Sequence, residues 1–434
     1  MMTSEENDLL CRVEGDAPMG QLMRRHWVPA LLSEELPEAD GTPVPVRLFG
    51  EDLLAFRATD GSVGLIGRYC PHRRASLQFA RNEHDGVRCI YHGWKIRTTG
   101  AVAEMPSEPP EACAKQQVKH LSYPTVEHGG FVWAYMGPPE TMTPFDPPAF
   151  APEGDWKVSI IKIKVRCNWA QVLEGAIDSA HSNTLHQNMI RPAPVGGTQP
   201  VGHKFSRPST DKAPRIQPQM TDYGFYYAAI RKPIVNSDVE DYVRVTIYVA
   251  PYYALIPPNS DYRSAQVNVP IDDENTMFHF IAFSKKGTAP DQEEYRKILG
   301  AQIGIDINER YEPVRNMENN YMQDRQAMRN GDFTGIHGLP MEDIAMWETM
   351  GPLADRGEER LGASDQAIVQ FRRQMLAAVR EFIDGKPAFG TKEVCSTPQA
   401  EIRSFEGMMP KGADWRGLDT RTGQFALVGD KLEV

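Results

Sequence analysis

The chain has 434 residues, 41% hydrophobic and 24% charged, a globular composition with room for two or three cores. It lacks the run of about eighteen apolar residues that a membrane-spanning helix needs. Its net charge of −11 argues against nucleic acid as a partner, and an anionic substrate would need a local cationic pocket against that field.

Met1 to Asp16 is polar and acidic, without the apolar core of a signal peptide. An amphipathic helix is predicted over Pro18 to Leu32, and mostly β structure over Val44 to Tyr135. Leu53-Leu54-Ala55-Phe56 and Val63-Gly64-Leu65-Ile66 flank Asp60-Gly61, a hairpin signal, and Phe131 to Tyr135 reads as another strand. Pro144 to Gly154, with Pro147, Pro148 and Pro152, reads as a domain boundary. The expected division is a helical segment over 1–40, a small β domain over 41–143 and a larger domain over 155–434.

In the larger domain Val243, Val245, Ile247 and Val249 alternate with Arg244, Thr246 and Tyr248, as on a strand. Gln266 to Val269 and Phe278 to Phe283 are two more strands, turned at Asp272-Asp273-Glu274-Asn275. Asp365 to Asp384 is a predicted helix with Ile368, Phe371, Met375, Val379 and Phe382 as its apolar stripe, Ser364 as its cap and Gly385 as its stop.

Two short clips carry the first chemical signal. Cys70-Pro71-His72 and Cys89-Ile90-Tyr91-His92, sixteen residues apart, each pair one sulfur with one imidazole. Two thiolates on one iron and two imidazoles on the other hold a two-iron, two-sulfide centre whose potential lies above that of an all-thiolate cluster. A structural zinc site takes the same residue types, but its clips usually read Cys-x2-Cys. Cys11, Cys113, Cys167 and Cys395 show no disulfide framework, and a reducing cytoplasm suits both thiols and cluster.

Asp178, His181 and His186 form the second constellation. On a continuous helix His181 and His186 would stand about 140° apart, so they meet one metal only if the helix bends or breaks between them. Two imidazoles and a carboxylate hold iron(II) with positions left open for O2 and substrate. Asp178 is one candidate for that carboxylate, although one turn before His181 it also suits a supporting hydrogen bond. Asp343 is the other, on a predicted helical face with Met346, Trp347 and Met350, while Glu342 and Glu348 are expected to point elsewhere. A simple helix-capping role is the alternative for Asp343.

With these residues in view, the chain resembles the oxygenase components of the Rieske non-haem iron ring-hydroxylating oxygenases, in particular the phthalate dioxygenase branch. The likeness covers nearly the whole length. It is carried by Cys70-Pro-His-Arg-Arg-Ala-Ser, Cys89-Ile-Tyr-His-Gly-Trp-Lys, Asn168-Trp169, Leu173 to His181 and the Asp343 segment. The resemblance implies an α+β protein: an N-terminal all-β Rieske domain, then a helix-grip-like catalytic domain with an antiparallel sheet wrapped by helices. It implies Cys70, His72, Cys89 and His92 as cluster ligands, His181, His186 and Asp343 as ligands of a mononuclear Fe(II), and Asp178 as a bridge. It further implies a homotrimer or stacked hexamer. The cluster of one chain would feed the iron of its neighbour, with Asp178 accepting from His181 of its own chain and His92 of the next. The implied reaction is cis-dihydroxylation of phthalate at ring positions 4,5 by O2, with electrons from NADH through a reductase carrying flavin and iron–sulfur.

A dicarboxylate needs cations near the iron, and the planar fork of arginine meets carboxylates in paired bonds. Arg244 and Arg207 are the expected clamps, against the plain alternative of solvent-facing side chains. Two other readings compete. A Rieske electron carrier would need only about the first 150 residues, roughly one domain. A related oxygenase acting on isophthalate or phenoxybenzoate, or an O-demethylase, would share every ligand.

Overall fold

The computed structural model describes residues 2–113, 118–151, 154–193, 205–258, 262–285, 287–419 and 424–425. Two compact units emerge, one of residues 13–145 and one of residues 1–12 with 146–434. The segment expected over 1–40 is thus shared between units, because helix α1 (Ser4–Cys11) is stitched into the second. The Asn168 amide and the Trp169 indole both donate to the carbonyl of Cys11, at 2.9 and 3.1 Å. Of the proline-rich stretch Pro144 to Gly154, Pro152 lies outside the described residues.

Among its described residues the first unit holds three small antiparallel sheets. The helix expected over Pro18 to Leu32 ends at Met23, and Trp27–Leu32 is a strand paired with Phe131–Tyr135. Pro29 explains the difference: it breaks a helix interior, while Trp27, Val28 and the leucines fill a pleated, buried surface. The hairpin at Asp60-Gly61 is present, with Gly61 at φ +85°.

The two clips occupy loops of identical construction. The Cys70 carbonyl accepts from Arg74 N–H and the Cys70 N–H donates to Ala75, each at 2.9 Å. The Cys89 carbonyl accepts from Gly93 N–H at 2.9 Å and the Cys89 N–H donates to Trp94 at 2.8 Å. Both turns need a left-handed residue at the fourth place after the cysteine, Arg74 at φ +61° and Gly93 at φ +76°.

The second unit is built on one antiparallel sheet of β1 (Lys157–Val165), β2 (Arg215–Met220), β3 (Gly224–Arg231), β4 (Glu240–Val249), β5 (Tyr253–Ile256), β6 (Arg263–Pro270), β7 (Thr276–Ser284) and β8 (Phe405–Pro410). The spatial order is β1-β7-β6-β5-β4-β3-β2, and β8 pairs with β4. Three helices matter to the site: α2 (Trp169–Ala176), α3 (Leu339–Thr349) and α4 (Gln366–Ile383). Helix α4 packs Phe371 against Trp169 and against Tyr248 of β4, with ring centroids at 5.8 and 5.3 Å. Gly385 stops the chain just beyond it, but Ser364 does not cap its start; Asp365 stands at the cap and its carboxylate takes the Gly362 N–H instead. Among the described residues no helix is long and apolar enough to cross a membrane.

Candidate metal centres and substrate cavity

In the first unit, Cys70 and Cys89 are buried, at 1% and 3% exposure, in the same apolar cluster as Trp94. The His72 ring stacks on Trp94 at 4.8 Å and lies 4.5 Å from the His92 ring. Burial pushes the Cys70 thiol up to about 11, so a thiolate there requires a cation. His72 Nδ1 is buried with no hydrogen-bond partner, an orphan of the kind a metal satisfies. All four sequence-predicted residues therefore come together, and two sulfurs with two imidazoles fit a two-iron, two-sulfide group.

In the second unit, Asn168 caps helix α2 by accepting from Ala170 N–H, and the helix ends at Ile177. The chain then turns through Asp178 and Ser179 into a short helical turn, His181–Asn183. This break brings the two imidazoles within 5.1 Å, centroid to centroid. Tyr227 O–H donates to the Ile177 carbonyl at 2.6 Å and Arg231 to the Ser179 carbonyl at 2.6 Å, which pins the turn to the sheet.

Asp343 comes from the middle of α3, 4% exposed. His181 Nε2 and His186 Nε2 lie 3.4 and 3.1 Å from the same Asp343 oxygen. One ligand atom from each of the three residues falls within 4.8 Å of the others, a set that could hold one metal. The remaining ring nitrogens face carboxylates: His181 Nδ1 stands 3.3 Å from Asp178, and His186 Nδ1 stands 2.8 Å from Glu342. Burial lowers the His186 pKa, but Asp343 and Glu342 more than offset it and hold it at about 9. A cation, proton or metal, belongs between these groups.

The expected face of α3 needs correction. Met346 and Met350 are exposed, whereas Glu342 and Glu348 are buried beside Asp343 and Trp347. The helix is enclosed nearly all round, so a one-sided wheel could not sort it. Glu348 accepts from Tyr321 O–H at 2.7 Å and from Arg166 N–H at 2.8 Å.

The three metal-binding candidates open on a cavity between the sheet and the helices. Sheet residues line one side, among them Thr246, Ser264, Gln266 and Phe280, and the helices supply the other. Arg207 and Arg244 both line it and are 3% exposed, which excludes the solvent-facing alternative. Arg244 reaches Glu406, directly across the strand pair, and the Pro257 carbonyl at 2.8 Å; Arg207 reaches Asn183 and Ser182 Oγ. Burial and the neighbouring Arg244 hold both Arg207 and Arg231 below the ordinary guanidinium range, Arg231 at about 10. Glu406 and Arg231 escaped the sequence reading. Arg231 sits four residues after Tyr227 on one face of β3, a period-two signal, but Glu406 meets Arg244 only through the fold.

The family described as LigXa C-terminal domain like matches residues 134–433, and the Rieske [2Fe-2S] domain family matches residues 26–124. The phthalate 4,5-dioxygenase oxygenase subunit of Pseudomonas putida is 56% identical over 97% of this chain and 95% of its own. The 3-chlorobenzoate-3,4-dioxygenase oxygenase subunit of Comamonas testosteroni is 34% identical over 96% of this chain and 97% of its own. A solved structure, the Pseudomonas putida CBB5 NdmA QL mutant with caffeine, shares the fold at a TM-score of 0.59 and 17% identity, covering 86% of this chain and 95% of that one. This chain belongs to the Rieske non-haem iron oxygenases, as an oxygenase subunit with a two-iron, two-sulfide cluster and a mononuclear iron.

Proposed function

We propose that the protein is the oxygenase component of a phthalate dioxygenase, cis-dihydroxylating the 4,5 positions of the ring with electrons from NADH passed on by a reductase. The observation that carries this reading is the trio of buried arginines, Arg207, Arg231 and Arg244, two of them facing the same cavity as His181, His186 and Asp343. Guanidiniums packed together in a dry site repel one another, and a dianion relieves that cost. Phthalate supplies two carboxylates on adjacent ring carbons.

In this reading Cys70, His72, Cys89 and His92 hold the cluster, and His181, His186 and Asp343 hold the iron. The bound iron supplies the activation of O2. Arg207 and Arg244 clamp the carboxylates. Ile190, Ile256 and Phe280 give the ring an apolar wall and exclude water. Asp178 keeps the proton of His181 on Nδ1, leaving Nε2 free for the metal. Asp178 remains 22% exposed, so its carboxylate has room for a second imidazole, that of His92 from a neighbouring chain in a homotrimer or stacked hexamer. A cytoplasmic setting suits the thiols and the reductase.

The test is O2 consumption and product identification across a panel of aromatic acids with a compatible reductase. The expected product from phthalate is the 4,5-cis-dihydrodiol. Isophthalate, phenoxybenzoate or a methoxylated acid turning over in its place would replace the substrate assignment.

A further inference from the structure

We propose that Glu342 is a positioning residue for the iron centre, fixing His186 through a closed ring of hydrogen bonds separate from the Asp178 arm. This rests on the reading of His181, His186 and Asp343 as iron ligands.

Glu342 Oε2 lies 2.8 Å from His186 Nδ1, and the two side chains are 3% and 4% exposed. A carboxylate accepts only, so it keeps the single proton of a neutral imidazole on Nδ1 and turns the Nε2 lone pair toward Asp343, 3.1 Å away. The other oxygen of Glu342 accepts from Thr334 Oγ at 2.7 Å. Thr334 belongs to a tight loop in which the Asp332 carboxylate takes the N–H groups of Thr334 and Gly335 at 3.1 and 2.6 Å. The same Asp332 oxygen accepts from the Asn188 amide at 2.8 Å, and Asn188 in turn accepts from Phe333 N–H at 3.3 Å. Asn188 stands two residues after His186, so the circuit closes on the ligand it began from.

The two supporting carboxylates therefore differ. Asp178 pairs with His181 at 3.3 Å, with the side chains 22% and 25% exposed, and stays open to a further partner. Both carboxylates use both oxygens, Asp178 taking the Ala180 N–H at 2.8 Å on the other one, but Glu342 is sealed from any further partner. The geometry divides the labour: Asp178 supports His181 while staying open to exchange with another group, and Glu342 is committed to orienting His186 alone.

The test uses full-length protein with its cluster intact and the mononuclear metal removed by chelation, titrated with Co(II) and read by visible absorption. Wild type is expected to take one Co(II) per chain. Glu342→Gln keeps the shape but removes the charge, and is expected to weaken Co(II) about 10–100-fold and to change the absorption band. Thr334→Val leaves the carboxylate but frees it, and is expected to shift the same two readouts in the same direction by less. Asp178→Asn, whose carboxylate supports the other ligand imidazole across a longer 3.3 Å contact, is expected to weaken Co(II) by less than Glu342→Gln does. The cluster's paramagnetic resonance signal, unchanged throughout, reports an intact fold. If Glu342→Gln is too unstable to isolate, Thr334→Val decides. Variants that match wild type in both affinity and band overturn the proposal and leave the ligand assignment standing. Wild type that takes no Co(II) overturns the ligand assignment, and this proposal with it.

Discussion

A carboxylate beside an imidazole does different work according to what else can reach it. Asp178 has unused acceptor capacity, and we expect Asp178→Asn to keep cluster and iron yet lose most turnover. Metal analysis with single-turnover electron transfer checks this, and native transfer with native turnover would remove the bridge role. In the proposed clamp Arg244 would make charge-assisted bonds to a substrate carboxylate in a dry cavity, each worth about 1.5–3 kcal/mol. Arg244→Met should therefore raise KM for phthalate about 10–100-fold, and far less for a neutral aromatic. A like rise for both substrates would point to a damaged cavity, not a lost clamp. The clips and the Asp178-His181-His186 spacing were legible because ligand types recur at short range. Glu342 was not, because its role depends on Thr334 and on a helix buried nearly all round.

Helix α2 shows how an element serves the site. Gly175 lies where α2 meets α3, and a Cβ there would stand 2.3 Å from the Trp347 indole nitrogen. Gly175→Ala should push Trp347 and with it Asp343, at a cost of about 1–3 kcal/mol. A lowered melting temperature together with reduced iron content is the expected pair of readings. One residue earlier Glu174 is buried between Arg356, at 3.0 and 3.1 Å, and Arg372, at 2.7 Å. Burial raises the Glu174 pKa, but the two guanidiniums outweigh it and the net shift is downward. A depressed carboxyl pKa contributes stability above the unfolded value of about 4.3 and loses it as pH falls through the folded value. Glu174→Gln should cost about 3–5 kcal/mol at neutral pH, with the difference from wild type shrinking below about pH 4.5 in denaturant titrations.

At the scale of the whole chain, an oxygenase subunit holds a two-iron cluster in residues 13–145 and one further iron in the rest, whereas an electron carrier would hold the cluster alone. Mild chelation should remove the single iron and abolish turnover while the cluster signal persists. The sequence by itself determined the two cluster clips, the Asp178-His181-His186 spacing, the alternating strands and the family, since each is a matter of residue type at short spacing, and it offered Asp343 as one of two candidate carboxylates. It placed Arg207 and Arg244 near a substrate only as one of two alternatives, because exposure is not written in local pattern. The tertiary structure decided the rest. It buried both arginines, set Glu406 across from Arg244, brought Asp343 to the histidine pair and moved helix α1 into the second unit. Each of those pairings joins residues more than a hundred positions apart, and only the packing of sheet against helices brings such residues together.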